Sequence, residues 1–406
     1  MRISTVSPSE VSALPEIENV RSLRVAIESV LTLLLALLLP LRVVVQAVLR
    51  GAAYSVWCGQ PIIAMAVNCR AERLLGVRSV SIVTHTYFVT QAFDCDVSRI
   101  SKSRVFRYLS SWALLFWVLL AAKRVHTYCD GGLLASTTAF EFNPRELFLY
   151  RLACLKHVAW TYGADVRTQA LTKALGEPNC CTECDAPGKH CICSADKAEK
   201  NIARVKRGAV LMASMGDMNE YLPLARHDLH FWPLDLDLPI YEKPPEVIRS
   251  NDLLRVVHAP NHRQFKGSRH LIAAVDTLQK EGHAIELVLV ERVPNAEAMK
   301  IYRTADIVFD QCLVGFHGYF ALEAMALGKP VMVFIRKPEY LIDAANCPLI
   351  NVTPETIADS LRGFLVNRAD LALIGKKSRQ YVERHYGLAA FAERLKHAYE
   401  DAGVKL

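Results

Sequence analysis

One short stretch, residues 307–334, constrains the fold of this chain more than any other. A strand-like apolar run is followed by a glycine-bearing loop and by a helix-forming series over 321–327. Gly328 stands where a helix-ending glycine belongs, Pro330 prevents the helix from continuing, and the apolar run 331–334 is typical of a buried parallel strand. The stretch therefore predicts a strand, a loop, a helix and a second strand in close succession.

The loop before this helix has the features of a phosphate-binding site. A helix N-terminus presents unpaired N–H groups and the positive end of the helix dipole, and both favour an anion. Glu323 lies one turn into the helix, where its carboxylate is placed to accept hydrogen bonds from ribose hydroxyls. A strand–loop–helix unit with one Glu is also common as plain α/β scaffold, so both interpretations stay open at this point.

Strands and helices alternate in the same way along most of the 406 residues. A chain of this length is typical of two domains, and the alternation predicts a parallel sheet between layers of helices in each. We predict an α/β fold with two Rossmann-like, doubly wound parallel-sheet domains and an N-terminal apolar helix. The predicted parts are an apolar segment (1–50), a first domain (51–240) with a Cys-rich loop (180–193), a linker (241–252), a second domain (253–376) and a C-terminal helical tail (377–406).

Four polar residues of the first domain follow predicted strands: His85, Asp130, Asp165 and Arg167. In open parallel sheets, ligands bind beyond the carboxyl ends of the strands. This shared position makes the four residues candidates for substrate contact, with Asp165 and His85 as candidate catalytic groups. Taken singly, each of the four is more often a capping or loop residue.

The composition narrows the classes of function. With 52% hydrophobic and 22% charged residues the chain is globular, and its net charge of +7 suits anionic substrates or anionic lipid headgroups. The sequence has no dense block of Lys and Arg, so we do not expect a nucleic-acid partner. Twelve cysteines scattered over a chain of this size favour a reducing compartment over a disulfide framework.

Two apolar runs indicate contact with a membrane. Residues 25–49 are strongly apolar but interrupted by Glu28, Pro40 and Arg42, and residues 112–122 carry two tryptophans between flanking cations. A half-inserted helix, a marginal transmembrane anchor and an ordinary core helix all fit the first run. We expect the two runs to form a membrane-facing side of the first domain. The arginines after the first run favour a cytoplasmic, membrane-associated location, on the inner or plasma membrane.

Two patterns raise the question of a metal. The cysteine cluster has a spacing that can wrap a tetrahedral zinc ion, and the predicted ligands are Cys181, Cys184, Cys191 and Cys193. The alternatives are a reduced loop or a redox-labile pair, and we expect no catalytic zinc because so many sulfur ligands leave no open position. Asp235 and Asp237 form an Asp-x-Asp pattern between prolines, where a hinge is the better interpretation.

Arg263 and Lys266 lie three residues apart on a strand-to-helix loop at the start of the second domain. Both are phosphate-binding side chains, so the pair suits a diphosphate clamp. A bare Arg-x-x-Lys is usually a solvated loop, but this one lies two β-α units before the loop that leads to Glu323. That position favours the clamp.

Together these features resemble a known family. Residues 253–335 resemble the donor-binding domain of family-4-like (group 1) glycosyltransferases of GT-B fold, with a Lys-Gly pair at 266–267 and a Gly-Phe-Gly-like loop running into Leu-Glu-Ala-Met-Ala-x-Gly-x-Pro-Val. Residues 54–240 resemble, more loosely, the acceptor domain, and the tail resembles the interdomain crossover helix. The resemblance implies transfer of a sugar from a nucleotide diphosphate donor, with retention and without a metal. The residues that it assigns to the donor, from the diphosphate clamp to the ribose, are Arg263, Lys266, Gly267, Phe316, His317, Gly318 and Glu323.

The sequence departs from the family pattern in one important place. These enzymes typically carry a second Glu eight residues before the helix Glu, and this chain has Gly315 there. The basic residue that often precedes the Lys-Gly pair is also displaced, since Pro260 takes its place and Arg263 is the nearest candidate. Sugar recognition must then differ, or activity is lost. Asp310 and His317 are the nearest polar substitutes, and His317 is a third candidate catalytic group.

Three functions stay open on the sequence. The first is a hexosyltransferase-type glycosyltransferase with a nucleotide-sugar donor and a lipid-linked or glycan acceptor, needing no cofactor for catalysis. The second is a GT-B-shaped nucleotide-sugar epimerase. The third, motivated by Gly315, is a nucleotide-sugar-binding protein without catalytic activity. We expect the first.

Overall fold

The computed structural model describes residues 15–49, 53–86, 92–242 and 253–406. Within these ranges the chain forms two parallel sheets with helices packed on them, which confirms the predicted α/β class. Most of the predicted linker, residues 243–252, lies outside the described residues.

The first domain is built on six strands: β1 (Tyr54–Cys58), β2 (Ser79–Val83), β3 (Cys95–Asp96), β4 (Ala122–Tyr128), β5 (Lys156–Trp160) and β6 (Ala209–Met212). Their order is β3-β2-β1-β4-β5-β6, and every neighbouring pair is parallel. The helices are α1 (Pro15–Leu38), α2 (Leu41–Val48), α3 (Ile63–Arg73), α4 (Val97–Ile100), α5 (Arg104–Ala121), α6 (Pro144–Leu152), α7 (Gln169–Ala174) and α8 (Ala195–Lys206). The strand order reverses between β1 and β4, so a crevice is expected at their carboxyl ends.

The second domain has five strands: β7 (Leu254–His258), β8 (Ile285–Leu289), β9 (Ile307–Gln311), β10 (Val331–Val333) and β11 (Ile350–Asn351). The order is β11-β10-β9-β7-β8, again with parallel neighbours. The helices are α9 (Arg263–Lys266), α10 (Ser268–Lys280), α11 (Asn295–Tyr302), α12 (Tyr319–Ala326), α13 (Ile357–Val366), α14 (Ala369–His385) and α15 (Leu388–Asp401). Here the order reverses between β7 and β9, which brings the loop carrying α9 beside the glycine loop before α12.

The C-terminal tail is two helices rather than one. Helix α14 packs against α12 in the second domain, whereas α15 packs against α3 in the first. The chain crosses between the domains at residues 386–387, where the backbone N–H of Leu234 donates to the Tyr386 carbonyl at 2.7 Å. The crossing therefore lies inside the predicted tail, and the predicted boundary at 376/377 falls within α14.

The N-terminal helices cover α5 and α6 and leave an apolar face exposed. Helix α2 packs on α5, and the Arg42 guanidinium donates to the Leu119 carbonyl at 2.6 Å. Among the described residues, α5 alone is long and apolar enough to cross a membrane, unless residues 22–38 and α2 are counted as one span bent by 57°. The large apolar side chains that are 62–74% exposed on α1 and α2 are Leu23, Val30, Leu33, Leu37, Val43, Val44 and Val48.

Candidate active site

The carboxyl ends of β7 and β9 bring two predicted donor-binding groups together. The Lys266 ammonium donates to Oδ1 of Asp310 at 2.8 Å, and the Gly318 N–H donates to Oδ2 of the same carboxylate at 2.5 Å. The Lys266 side chain is 15% exposed and that of Asp310 is fully buried. An ammonium and a helix-opening N–H thus converge at one point, as a phosphate site requires. In this structure the Asp310 carboxylate takes both hydrogen bonds.

Gly267 holds the two donor loops against each other. Its φ of +73° is a left-handed conformation that favours glycine. A Cβ at this position would overlap the sulfur of Cys312, which follows β9. The Lys-Gly pair therefore has a packing reason for its glycine, because a larger residue would push the Lys266 loop away from β9.

Arg263 lies in a different environment from Lys266. Its guanidinium makes a two-pronged ion pair with Glu291, at 2.8 and 2.6 Å, and its side chain is 48% exposed. Two cavities, of about 930 and about 680 Å³, lie between the Cys-rich loop and the second domain, and Arg263 lines both. Lys266 and Glu323 line neither cavity. Of the two cations in the predicted clamp, only Lys266 is in contact with the glycine loop.

Glu323 is buried one turn into α12, at 3% exposure. Its Oε1 accepts a hydrogen bond from the side-chain amide of Asn295 at 2.8 Å. Burial raises the pKa of Glu323 to about 7, although the Asn295 bond opposes this shift. Asn295 was not among the sequence candidates. The only sequence signal for it is its position at the first turn of the helix after β8, and its partner lies too far along the chain to be foreseen.

Phe316 and His317 tie the two domains together. Phe316 packs on Gly216 of the first domain so closely that a Cβ there would overlap the ring. His317 is 2% exposed, its Nε2 lies 3.1 Å from the Tyr386 hydroxyl, and its ring meets that of Trp232 edge-on. Burial lowers the pKa of His317 to about 4, so the ring is neutral at physiological pH. Both residues belong to the predicted donor loop, which they place at the domain interface.

Gly315 cannot be exchanged for the family Glu without a rearrangement. Its φ is +98°, a region that L side chains rarely adopt. A Cβ there would lie 2.9 Å from Nη1 of Arg336. The departure from the family pattern is therefore built into the backbone of this loop.

On the first sheet, two carboxyl groups follow β4 and β5. Asp165 accepts N–H bonds from Tyr162 and Gly163 at 3.0 Å each and from Cys129 at 3.3 Å. Asp130 accepts from the Tyr162 hydroxyl at 2.7 Å, while its Oδ1 is buried without a partner among the described residues. Burial raises the pKa of both carboxyls, and the Asp130 charge raises that of Asp165 further. The pair titrates as a unit and retains a proton close to neutral pH.

The three candidate catalytic groups have separate surroundings. Asp165 fixes the loop after β5, and His317 lies at the domain interface. His85 lines a third cavity, of about 450 Å³, beside α1 and α5, where burial and the nearby Arg107 lower its pKa. The Arg167 guanidinium pairs with Asp217 within the first domain. It also reaches across the cleft, where it lies 5.1 Å from the ring centre of Phe265 on α9.

The Cys-rich loop lies against the second domain. Its Glu183 accepts hydrogen bonds from Arg269 at 2.7 Å and shares one with His270 at 2.6 Å. Among the described residues, no three His, Cys, Asp or Glu side chains are placed to hold a metal ion. Cys193, for example, accepts the Gly188 N–H at 3.1 Å. The zinc site at Cys181, Cys184, Cys191 and Cys193 stays a prediction, and metal analysis of the protein would test it.

The fold and its cleft define the GT-B class: two Rossmann-like domains with loops in contact across a cleft, and a last helix that returns to the first domain. Comparison of the sequence with protein-family models and with curated proteins found no match.

Solved structures similar to this chain include the following three. HepE (Alr3699) of Anabaena, in complex with UDP and glucose, has a TM-score of 0.55 at 11% identity and covers 86% of this chain and 100% of its own. Sucrose-phosphate synthase of Thermosynechococcus elongatus has a TM-score of 0.52 at 11% identity, over 86% and 98% of the two chains. WaaG, a glycosyltransferase involved in lipopolysaccharide biosynthesis, has a TM-score of 0.51 at 13% identity, over 86% and 99%. At these identities the similarity establishes the fold alone.

Proposed function

We propose that this protein is a glycosyltransferase that moves a sugar from a nucleotide diphosphate donor to a membrane-linked or glycan acceptor. The observation that carries the proposal is the convergence of the Lys266 ammonium and the Gly318 N–H beyond β7 and β9, with Glu323 one turn further along α12. HepE was solved with UDP, which supports a nucleotide diphosphate as the ligand of this edge.

In this proposal the donor diphosphate replaces the Asp310 carboxylate on Lys266 and Gly318. Asp310 then turns to the sugar hydroxyls and supplies the carboxylate that Gly315 does not. Glu323 accepts from the ribose. Lys266 and Glu323 line neither interdomain cavity, and Phe316 of the donor loop packs against Gly216 of the first domain. In this proposal the donor therefore enters when the two domains separate.

We propose transfer of a hexose with retention and without a metal ion, as the family resemblance implies. The bond between the anomeric carbon and the diphosphate oxygen breaks, the acceptor oxygen bonds to the same carbon, and the acceptor proton leaves on the diphosphate. The negative charge that develops on the leaving group would be stabilised by the Lys266 ammonium and the helix N-terminus at Gly318, a preorganised electrostatic site. Asp130, whose Oδ1 has no partner among the described residues, is the polar group that would contact the acceptor.

A membrane location belongs to the same proposal. The exposed apolar faces of α1 and α2 and the hydropathy of α5 suit a protein that rests on the cytoplasmic face of a bilayer. WaaG, which is similar in fold, is a glycosyltransferase involved in lipopolysaccharide biosynthesis.

The test is donor binding followed by product analysis. Purified protein in detergent is titrated calorimetrically with UDP and other nucleoside diphosphates, then incubated with a panel of nucleotide sugars and a membrane extract. We expect nucleotide binding and transfer of labelled sugar to the extract. Conversion of the nucleotide sugar without any acceptor would indicate an epimerase, and binding without turnover would indicate the non-catalytic function. A protein that binds no nucleotide does not have the proposed activity.

A further inference from the structure

We infer that the cavity beside α1 and α5 binds the phosphate group of a lipid-linked acceptor. This inference rests on the proposed function and names the acceptor class. The cavity has a volume of about 450 Å³, and it is lined by Arg24, Glu28, Thr84, His85, Arg104, Arg107, Tyr108, Ser111, Trp112, Leu134 and Ala135.

Positive charge dominates this cavity. Three arginines line it, and the one carboxylate, Glu28, is neutralised by Arg24 at 2.8 Å and by Arg145 at 3.4 Å. Arg24 is further held by the Ala135 carbonyl at 2.7 Å. Arg104 and Arg107 lie in the first turn of α5, where the positive end of the helix dipole adds to their charge. A phosphate is the anion that this arrangement suits.

Two uncharged donors lie side by side in the cavity wall. The indole N–H of Trp112 approaches the Tyr108 hydroxyl, but neither of these buried atoms makes a hydrogen bond of normal geometry to any described residue. The Trp112 side chain is only 5% exposed. A buried donor without a partner costs free energy unless a ligand or water satisfies it. Phosphate oxygens would satisfy both donors.

The lipid part of the ligand has an apolar surface on α5 beside the charge. Val105 and Leu109 lie four residues apart, so they share one face of α5, and they are 68% and 57% exposed. Arg104, Tyr108 and Trp112 line the cavity from the neighbouring row of the same helix. A phosphate bound in the cavity would leave its hydrocarbon chain against this apolar face of α5.

The cavity also lies at the acceptor edge of the first sheet. Thr84 and His85 follow β2, and Leu134 belongs to the loop after β4 that carries Asp130. Leu134 is four positions after Asp130, so their Cα atoms are at most ~14 Å apart. A sugar linked to a phosphate in the cavity can therefore reach toward Asp130. His85, a sequence candidate for catalysis, becomes a lipid-phosphate contact in this assignment.

The experiment measures sedimentation of the full chain with vesicles of phosphatidylcholine, alone or with a polyprenyl phosphate or phosphatidylglycerol. The double variant Arg104→Ala/Arg107→Ala removes two cavity cations. The matched control, Arg99→Ala/Lys102→Ala, removes two exposed cations of the same segment that do not line the cavity. Tyr108→Phe removes an uncharged donor. UDP binding is measured for each protein in parallel.

We expect polyprenyl phosphate to strengthen vesicle binding of the unmodified and control proteins, and the cavity variant to lose about thirtyfold of this gain. Tyr108→Phe should lose a smaller part of it, and transfer to the lipid should fall with binding. UDP binding should not change. An equal gain in the cavity variant overturns the assignment. If phosphatidylglycerol gives the same gain and transfer is unaffected by the cavity variant, the cavity docks membrane phospholipid and the acceptor assignment is wrong. If the unmodified protein binds no UDP, the proposed function fails, and the vesicle result stands separately.

Discussion

The hydroxyl of Tyr399, on the last helix, donates a 2.6 Å hydrogen bond to the buried carboxylate of Glu72, on α3 of the first domain. The two residues are 327 positions apart in sequence. Glu72 accepts three further bonds, from Ser55 at 2.9 Å, Trp57 at 2.7 Å and Ser79 at 2.6 Å. This fully buried carboxylate takes its fourth hydrogen bond from the returning helix, and that bond fixes α15 to the first domain.

Tyr399→Phe should therefore destabilise the protein while keeping its shape. A hydrogen bond to a charged group is worth ~1.5–3 kcal/mol, and its loss leaves a buried carboxylate short of one donor. Thermal unfolding measures the effect. Tyr340→Phe is the matched control, because Tyr340 also donates across the domains to a carboxylate, Glu220 at 2.8 Å, but in a half-buried place. Equal losses in the two variants would contradict the special role of the buried carboxylate.

Lys266→Ala should weaken UDP binding about 10- to 100-fold, because charge-assisted bonds to phosphate are worth ~1.5–3 kcal/mol. Arg263→Ala should weaken it less, since Arg263 is already paired with Glu291 and half exposed. Titration calorimetry gives both affinities. The exposed Lys300→Ala on α11 controls for a change of charge alone. The same loss for Lys266→Ala and Arg263→Ala would show that the two cations form an equal clamp.

Donor affinity should rise with pH around neutrality. The pKa of Glu323 is about 7, so the side chain is mostly protonated at pH 6 and ionised at pH 8. The ionised form accepts stronger hydrogen bonds from ribose hydroxyls, so UDP binding should tighten over this range and release a proton. Glu323→Gln should flatten the profile, whereas Glu297→Gln at an exposed position should not. Calorimetry in buffers of different ionisation enthalpy detects the proton, and an unchanged slope in Glu323→Gln would assign the titration elsewhere.

Asp130→Asn should make the protein less sensitive to alkaline pH. The folded-state pKa values of Asp130 and Asp165 are raised above their usual values. The folded protein is therefore most stable at low pH, where both carboxyls are protonated, and it loses stability as pH rises through those pKa values. Removing one carboxyl relieves the repulsion between the two. Each proton that the folded state binds in excess of the unfolded state changes the free energy of unfolding by about 1.4 kcal/mol per pH unit. The melting temperature of the variant, relative to the unmodified protein, should increase between pH 5 and pH 8.

The matched control for this pair is Asp401→Asn at an exposed carboxylate, which should leave the pH dependence of melting unchanged. Parallel melting curves for Asp130→Asn and the unmodified protein would mean that the two buried carboxyls do not share a proton. Transfer activity is measured on the same samples. A loss of turnover with unchanged UDP affinity would fit a role of Asp130 on the acceptor side.

The architecture was predictable because it depends on local pattern. Apolar strand runs, helix-forming series and glycine or proline at their ends are all visible in the sequence, and the order of strands then brings Lys266 and Gly318 to one edge. Gly387 can be read from the sequence, but the helix-forming residues on both sides of it predict one continuous helix. In the structure the helix is interrupted there, so α14 and α15 pack on different domains.

The side-chain partners were not predictable, because they join distant parts of the chain. Nothing local indicates that Asp310 takes the hydrogen bonds expected of a phosphate, or that Glu291 holds Arg263. His85 was grouped with Asp165 because both follow strands, yet it lies in a cavity formed with α1 and α5. The position of a residue along a sheet edge is set by strand order, and its neighbours are set by helices that pack there from elsewhere.

Gly315 and Arg336 also determine which mutational paths are open to this loop. A single exchange of Gly315 for Glu would need a left-handed backbone and would meet the Arg336 guanidinium at 2.9 Å. Shortening Arg336 first would make room, but it would also remove the hydrogen bond that this arginine donates to the Pro178 carbonyl at 3.1 Å, next to the Cys-rich loop. Restoring the family carboxylate therefore affects two loops of the second domain, and through the Arg336 hydrogen bond it also affects a contact with the first domain.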